Sequence, residues 1–313
     1  MTFVIKNIIK DKVFIIALIV MIMTMFIIPP SSQYITYMNY KVLIIMFTIM
    51  IAVSGLYETH FFDFIATRLV IQFKTIKWVS IILVLSAFFL SMFLTNDAVL
   101  LTLIPFTLFI MKHTNQEKYA LITIILQTIA ANLGSALTPM GDPQNIYLYA
   151  FYDFDFVTFL SITLPITVMG FFLITSAAYL KVPNTKVTLN LHAPEVNWKR
   201  VGLYSLILLN ALLLVLHLVP EWYTIYVTLI LGLVYGRHLF KRVDYGLLLT
   251  FVAFFVITGN LGQMQDVQSF FQTFLVSTRS VFFTGLITSQ FISNVPAAVL
   301  LSTFTDSTYA HAL

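Results

Sequence analysis

The chain has 313 residues, of which 59% are hydrophobic and 10% charged, with a mean hydropathy of +0.94. A soluble domain carries about 25% charged residues, so this composition excludes a soluble enzyme, a nucleic-acid binder and a disordered tail. The sequence has no Cys, which removes disulfides, thiolate metal sites and Cys nucleophiles. Its net charge of +4 is explained by membrane topology and needs no acidic partner.

Lys6, Lys10 and Lys12 precede the apolar run Val13–Ile28, which ends in Pro29-Pro30-Ser31-Ser32 with no small-residue cleavage site. This pattern predicts a retained first helix rather than a signal peptide. Further apolar spans follow at about 41–57, 78–111 (interrupted), 119–150 (interrupted), 156–180, 201–219, 222–236, 246–261 and 280–304 (interrupted). A bilayer core needs about 20 apolar residues per helical crossing, so the expected fold is an all-α polytopic membrane protein. With the N-terminus inside, fifteen of the seventeen Lys and Arg fall on inner segments, and only Lys41 and Arg279 fall outside. That bias satisfies the positive-inside rule and places the N-terminus in the cytoplasm of a cell-membrane protein.

Two segments read as amphipathic helices lying in the interface: His60–Lys77 on the inner side and Asp266–Thr278 on the outer side. Lys181–Arg200, polar and carrying Pro183 and Pro194, reads as the linker that splits the chain. Each half then presents two spans, a glycine (Ser54-Gly55-Leu56, Thr258-Gly259-Asn260), an amphipathic stretch and an apolar segment broken by a polar triplet. By the charge count the first broken segment starts and ends inside and the second starts and ends outside, the pattern of inverted repeats in secondary transporters. The expected organisation is a first repeat over residues 1–180, a cytoplasmic linker over 181–200, and an incomplete second repeat over 201–313.

Thr95-Asn96-Asp97 interrupts the stretch from Trp78 to Met111, in which Asp97 is the only charge. An intramembrane carboxylate is expensive and marks function by default. Charge counting does not separate a re-entrant hairpin from two crossings joined by an external turn capped by Asp97. The lack of Gly and Pro in the flanks favours the hairpin. Asn132–Asn145 (NLGSALTPMGDPQN) falls inside another crossing, and its Gly134, Gly141, Pro139 and Pro143 predict broken helix with free backbone groups. Ser135, Thr138, Gln144, Asn132 and Asn145 supply neutral ligand groups there, and Asp142 a charge. Unwound carbonyls suit a hard cation, and a half-helix N-terminus suits an anion. Ser293-Asn294-Val295-Pro296 is a weaker twin, with Pro296 suited to the first turn of a second arm. No pair of the six His has metal-ligand spacing.

These residues carry a resemblance. TNDAVLLTLIPF, ANLGSALTPMGDPQN and SQFISNVPAAVLL resemble the ion transporter superfamily of citrate transporters, divalent-anion/sodium symporters, arsenite permeases and sodium/proton antiporters. The resemblance covers essentially the whole chain. It implies two hairpin tips and two broken helices that bind substrate and coupling ions, in an elevator-type domain moving against a homodimeric scaffold. Thr95, Asn96 and Asp97 would form the first tip; Asn132, Gly134, Ser135 and Thr138 the first broken helix; Ser293, Asn294 and Pro296 the second tip. Pro139, Gly141, Asp142, Gln144 and Asn145 complete the candidate substrate and ion site, with Na⁺ expected at Asn96, Asp97, Asn132 and Gly134. The symporter tip is a neutral Ser-Asn-Thr, whereas Asp97 follows the Asn here, as in the arsenite and antiporter branches. The family also has a broken helix after its second hairpin. Leu313 ends this sequence before one, which implies a truncated form or a missing half of the second ion site.

The expected function is secondary active transport of a small inorganic or carboxylate anion coupled to Na⁺ or H⁺, with no other cofactor. The alternative within transport is a sodium/proton antiporter using Asp97 and Asp142. A membrane-embedded hydrolase would need a Ser/His or paired-Asp constellation, and no such pairing is evident.

Overall fold

A computed structural model describes residues 11–188 and 192–313. Lys6 and Lys10, counted above on the inner side, and residues 189–191 of the linker lie outside the described residues. Among the described residues the regular structure is helical, with one isolated antiparallel bridge between Thr75 and Lys186. The helices are α1 (Lys12–Ile27), α2 (Gln33–Tyr37), α3 (Tyr40–Glu58), α4 (Phe61–Val70), α5 (Ile76–Ser91), α6 (Asn96–His113), α7 (Ala120–Leu137), α8 (Pro143–Phe151), α9 (Phe156–Lys181), α10 (Trp198–Val215), α11 (Glu221–Tyr235), α12 (Tyr245–Leu261), α13 (Gln265–Phe274), α14 (Thr278–Ile292) and α15 (Asn294–Ser302).

The three interrupted spans are each two helices, broken at residues 92–95, at 138–142 and at Ser293. Among the described residues four helical stretches are long and apolar enough to cross a membrane: Tyr40–Glu58, Glu117–Leu137, Phe156–Lys181 and Trp198–Val215. α12 and α13 together pass the same test but are bent by 96°. α13 buries none of its residues, and its Phe270 and Phe274 are exposed, as an interfacial helix requires. The inner amphipathic helix is shorter than expected. α4 ends at Val70, the chain then extends to Thr75, and Ile76 and Lys77 open the next helix. Large side chains such as Phe26 (84% exposed), Leu180 (78%) and Phe291 (83%) face outward. Water would penalise that surface, and lipid does not. The protein is an all-α integral membrane protein.

The chain folds into two compact units that interleave along the sequence. One comprises Met1–Met50, Ile146–Phe154 and Val219–Leu313, the other Ile51–Asn145 and Asp155–Leu218. In the second unit α7 is the centre, flanked by α5, α6 and α9. Small and polar residues on one face of α7 make this close packing possible. Thr123 Oγ1 donates to Ser80 Oγ at 3.2 Å, Gln127 Nε2 donates to the Leu83 carbonyl at 3.3 Å, and Thr107 Oγ1 donates to Gln127 Oε1 at 2.9 Å. These residues are all buried, so each bond replaces water that is absent there. The start of the expected linker is docked rather than free. Ile76 N donates to the Thr185 carbonyl and Val187 N to the Lys74 carbonyl, both at 2.9 Å. Val182 joins the buried cluster around Val79, Leu83, Ile110 and Met111.

In the first unit α12 packs against α1, α2 and α15, and α14 against α15. Buried Asn260 Nδ2 donates to Thr24 Oγ1 at 3.1 Å and to Tyr34 Oη at 2.9 Å, tying α12 to the two elements before α3. The glycines singled out in each half have the same local use in their own units. A Cβ on Gly55 would reach the Tyr204 ring, and one on Gly259 would reach the Tyr37 ring, so each glycine seats a tyrosine.

Candidate functional site

In the second unit the first hairpin tip and the first broken helix meet. Thr95 is the N-cap of α6 and accepts from Ala98 N at 3.4 Å. This leaves Asn96 as the first helical residue. Asn96 Oδ1 accepts from Asp97 N at 2.7 Å, and Asn96 Nδ2 donates to Asn132 Oδ1 at 3.0 Å. Asn132 Nδ2 in turn donates to the Thr128 carbonyl one turn back on α7, at 2.8 Å. Two tip-to-helix bonds therefore hold the hairpin. The other runs from Thr138 Oγ1 to the Met92 carbonyl, in the turn between α5 and α6. Asp97 is exposed beside an open hollow of about 470 Å³, walled by Leu100, Leu101, Ile104 and Pro105. The side chains that line the hollow are apolar apart from the carboxylate.

The broken helix is shorter in its break than the sequence implies. Asn132, Gly134 and Ser135 lie in intact helix, and the non-helical stretch is Thr138 to Asp142. Neither Gly134 nor Gly141 adopts a positive φ. Gly134 is needed for close approach, because a Cβ there would strike the Phe88 carbonyl and the Ser91 hydroxyl of α5. Gly141 folds back in the same way onto the Ser135 backbone. The expectation that both glycines free backbone for ligands is corrected accordingly. They let α5, α7 and the break pack at backbone distance.

The fold-back buries Asp142, whose Oδ2 accepts from Ser135 Oγ at 2.5 Å. Ser135 Oγ also lies 3.0 Å from the Asn132 carbonyl. No ion pair reaches Asp142 among the described residues. Asn145, in the first turn of α8, points its amide back at the end of α7, 3.0 Å from the Ser135 carbonyl, 3.4 Å from Ala136 and 3.1 Å from Thr138. Pro139 is half-buried in the break, and Gln144 is half-buried beside it. Thus Thr95, Asn96, Asp97, Asn132, Gly134, Ser135, Thr138, Pro139, Gly141, Asp142, Gln144 and Asn145 belong to one compact unit.

Ser293, Asn294 and Pro296 belong to the other unit. There Asn294 is again the first residue of a second arm after a hydroxyl N-cap, as Asn96 is after Thr95. The two tips differ in detail. Ser293 makes no capping bond and has a φ of 72°, and both Ser293 and Asn294 are exposed while Pro296 is buried.

Sequence reasoning missed three contributors. Thr163 of α9 donates to the Leu137 carbonyl at 3.1 Å, the last of α7. The Met92 carbonyl anchors Thr138, and Phe88 floors Gly134. Backbone groups carry no residue-type signal. Thr163 is one hydroxyl among several on an apolar helix, and only the packing of α9 on α7 marks it.

The citrate transporter (CitMHS) family profile matches residues 1–312. An uncharacterized transporter of Methanocaldococcus jannaschii is 32% identical over 267 residues, covering 84% of this chain and 72% of the relative. The inner membrane protein YbiR of Escherichia coli is 28% identical over 270 residues, covering 84% of this chain and 71% of its own length. A putative transporter, arsB, of Dictyostelium discoideum is 24% identical over 132 residues, covering 42% of this chain and 23% of its own. With a match over nearly every residue, and with a helical fold built to face lipid, the chain belongs to the citrate transporter family and is a membrane transporter rather than an enzyme.

Proposed function

We propose that the protein is a secondary active transporter of a small anion, of the citrate or dicarboxylate type or arsenite-like, coupled to Na⁺ or H⁺ by an elevator-type movement. In this reading α5 and α6 form a re-entrant hairpin, as do α14 and α15, and the two halves are inverted repeats. The working form is a homodimer in the cell membrane with its N-terminus in the cytoplasm, as the Lys and Arg distribution favours. The observation that carries the reading is the Asn96–Asn132 bond of 3.0 Å. It joins a polar tip to a half-helix one turn before the buried Ser135–Asp142 pair, in a stretch otherwise built of apolar side chains. Polar groups in the breaks of otherwise apolar segments mark a ligand path in this reading. The broken segments contain no Lys or Arg, so the anion relies on backbone amides, half-helix N-termini and a co-bound cation.

A sodium/proton antiporter is the second reading, favoured by two carboxylates, Asp97 and Asp142, in the same unit. Uptake into liposomes holding the purified chain separates the two, using citrate, dicarboxylates, arsenite and sulfate under imposed Na⁺ or pH gradients. Gradient-driven uptake of one of these anions supports the first reading, and Asp97→Asn then alters its coupling. Na⁺/H⁺ exchange that needs no anion supports the second. A chain that moves none of them defeats both.

A further inference from the structure

The end of a half-helix is where a transporter of this build would hold a hard cation, because its last carbonyls have no intrahelical donors. They also carry the negative end of the helix dipole. In α7 three of those carbonyls, of Ser135, Ala136 and Leu137, are occupied by the protein itself, as is that of the capping Thr138. The Asn145 amide reaches the Ser135, Ala136 and Thr138 carbonyls at 3.0, 3.4 and 3.1 Å. Thr163 Oγ1 takes the Leu137 carbonyl at 3.1 Å, and Gly141 N takes Thr138 at 3.3 Å. An amide nitrogen has two hydrogens, so the 3.0 and 3.1 Å contacts are full bonds and the 3.4 Å contact shares one of them. The assignment of nitrogen over oxygen follows from the partners, since three carbonyls surround the atom and none can donate.

We infer that Asn145 is a built-in surrogate for a cation at the first break. Its side-chain amide neutralises the carbonyl end of α7, so this break keeps its shape without Na⁺, and Na⁺ is not the ion bound by these carbonyls. The placement has a simple origin. Pro143 starts α8, which puts Asn145 on its first turn, and Gly141 lets that turn fold against Ser135 closely enough for the amide to span the gap. The inference rests on the transport reading and deepens it. It removes the first break's carbonyls as a sodium site and makes Asn145 a positioning residue that sets ion preference.

The test needs no transported substrate, so a chain that takes up no anion fails the transport reading without touching this result. Melting of the purified full chain is compared in sodium chloride and in choline chloride at equal concentration, for wild type, Asn145→Ala and Asn145→Asp. Removing the amide exposes the carbonyls, and Asn145→Asp adds a charge beside them. Both variants are expected to melt lower than wild type in choline and to gain a sodium-specific rise of ~2–4 °C over the wild-type response. Equal sodium responses in all three proteins overturn the inference. Hydrogen exchange of wild type across residues 135–145 reports independently of whether the variants fold. Unchanged protection between the two salts supports the surrogate, and greater protection in sodium overturns it.

Discussion

Gly134 offers a sharp test of how the hairpin and the broken helix are assembled. A Cβ built on Gly134 would lie 2.8 Å from the Phe88 carbonyl carbon and closer still to its oxygen and to the Ser91 hydroxyl. Ordinary contact begins near 3.4 Å, so relieving the carbon alone needs a shift of about 0.6 Å and relieving the oxygen needs more, and backbone in a packed helix pair yields poorly. Overpacking of this kind costs about 1–3 kcal/mol, against a gain of about 1 kcal/mol when Ala replaces Gly in a helix. Gly134→Ala is therefore expected to lose up to about 2 kcal/mol, a fall of up to ~3 °C in melting temperature. It should also shift Asn132 away from Asn96 and lower uptake. Gly202 is the matched control. It too sits inside a helix of this unit, but a Cβ there meets nothing within 4 Å. Gly202→Ala should be neutral or stabilising by up to about 1 kcal/mol. Thermal unfolding and uptake of the two variants side by side decide the matter. Indistinguishable behaviour would refute the claim that α7 meets α5 at backbone distance.

Other residues carry independent predictions. Asn96→Ala and Asn132→Ala should be coupled by about 0.5–1.5 kcal/mol in a double-mutant cycle on stability, the worth of one neutral hydrogen bond; additive effects would mean the tip does not touch α7. Ser293→Gly should raise stability by about 1–3 kcal/mol, because Ser293 holds a φ of 72° that glycine adopts freely, and a lower melting temperature would show the strain is absent. Asp155, outside the membrane-spanning segments, caps α9, and its carboxyl is held below the ordinary range chiefly by the Thr158 hydroxyl and backbone. A depressed carboxyl stabilises above its unfolded value and loses that contribution as pH falls through the folded one. Acidification should thus destabilise wild type more than Asp155→Asn in pH-dependent melting.

Much of this architecture is visible in the residue order because the bilayer imposes simple rules. The breaks at Thr95, at Thr138 to Asp142 and at Ser293 stand out as polar or Gly/Pro groups in runs that are otherwise apolar, and α4 and α13 stand out by mixing polar or charged residues with apolar ones at helical spacing. Gly134 differs between the two for a physical reason. Glycine weakens an isolated helix, yet here the α5 backbone packed on it keeps the helix intact to Leu137. The pairing of Lys74–Ile76 with Thr185–Val187 is invisible in the sequence because main-chain bonds leave no side-chain pattern. The grouping of Ile146–Phe154 with residues after Val219 arises from contacts such as Tyr147 Oη to Ser302 Oγ at 2.7 Å. Those partners are 155 positions apart, and no local rule joins them.

The absence of Cys makes one direct experiment possible on the central claim that the first tip and broken helix form the transport site. Single cysteines are placed at Leu101, in the wall of the hollow, at Asn132, and at exposed Ser161 on α9 as a control. Maleimide labelling is then timed in liposomes with and without the anion that wild type accumulates. Slower labelling at Leu101→Cys and Asn132→Cys, with Ser161→Cys unchanged, is the predicted result. Anion-independent labelling at both positions in protein that still transports would contradict the account.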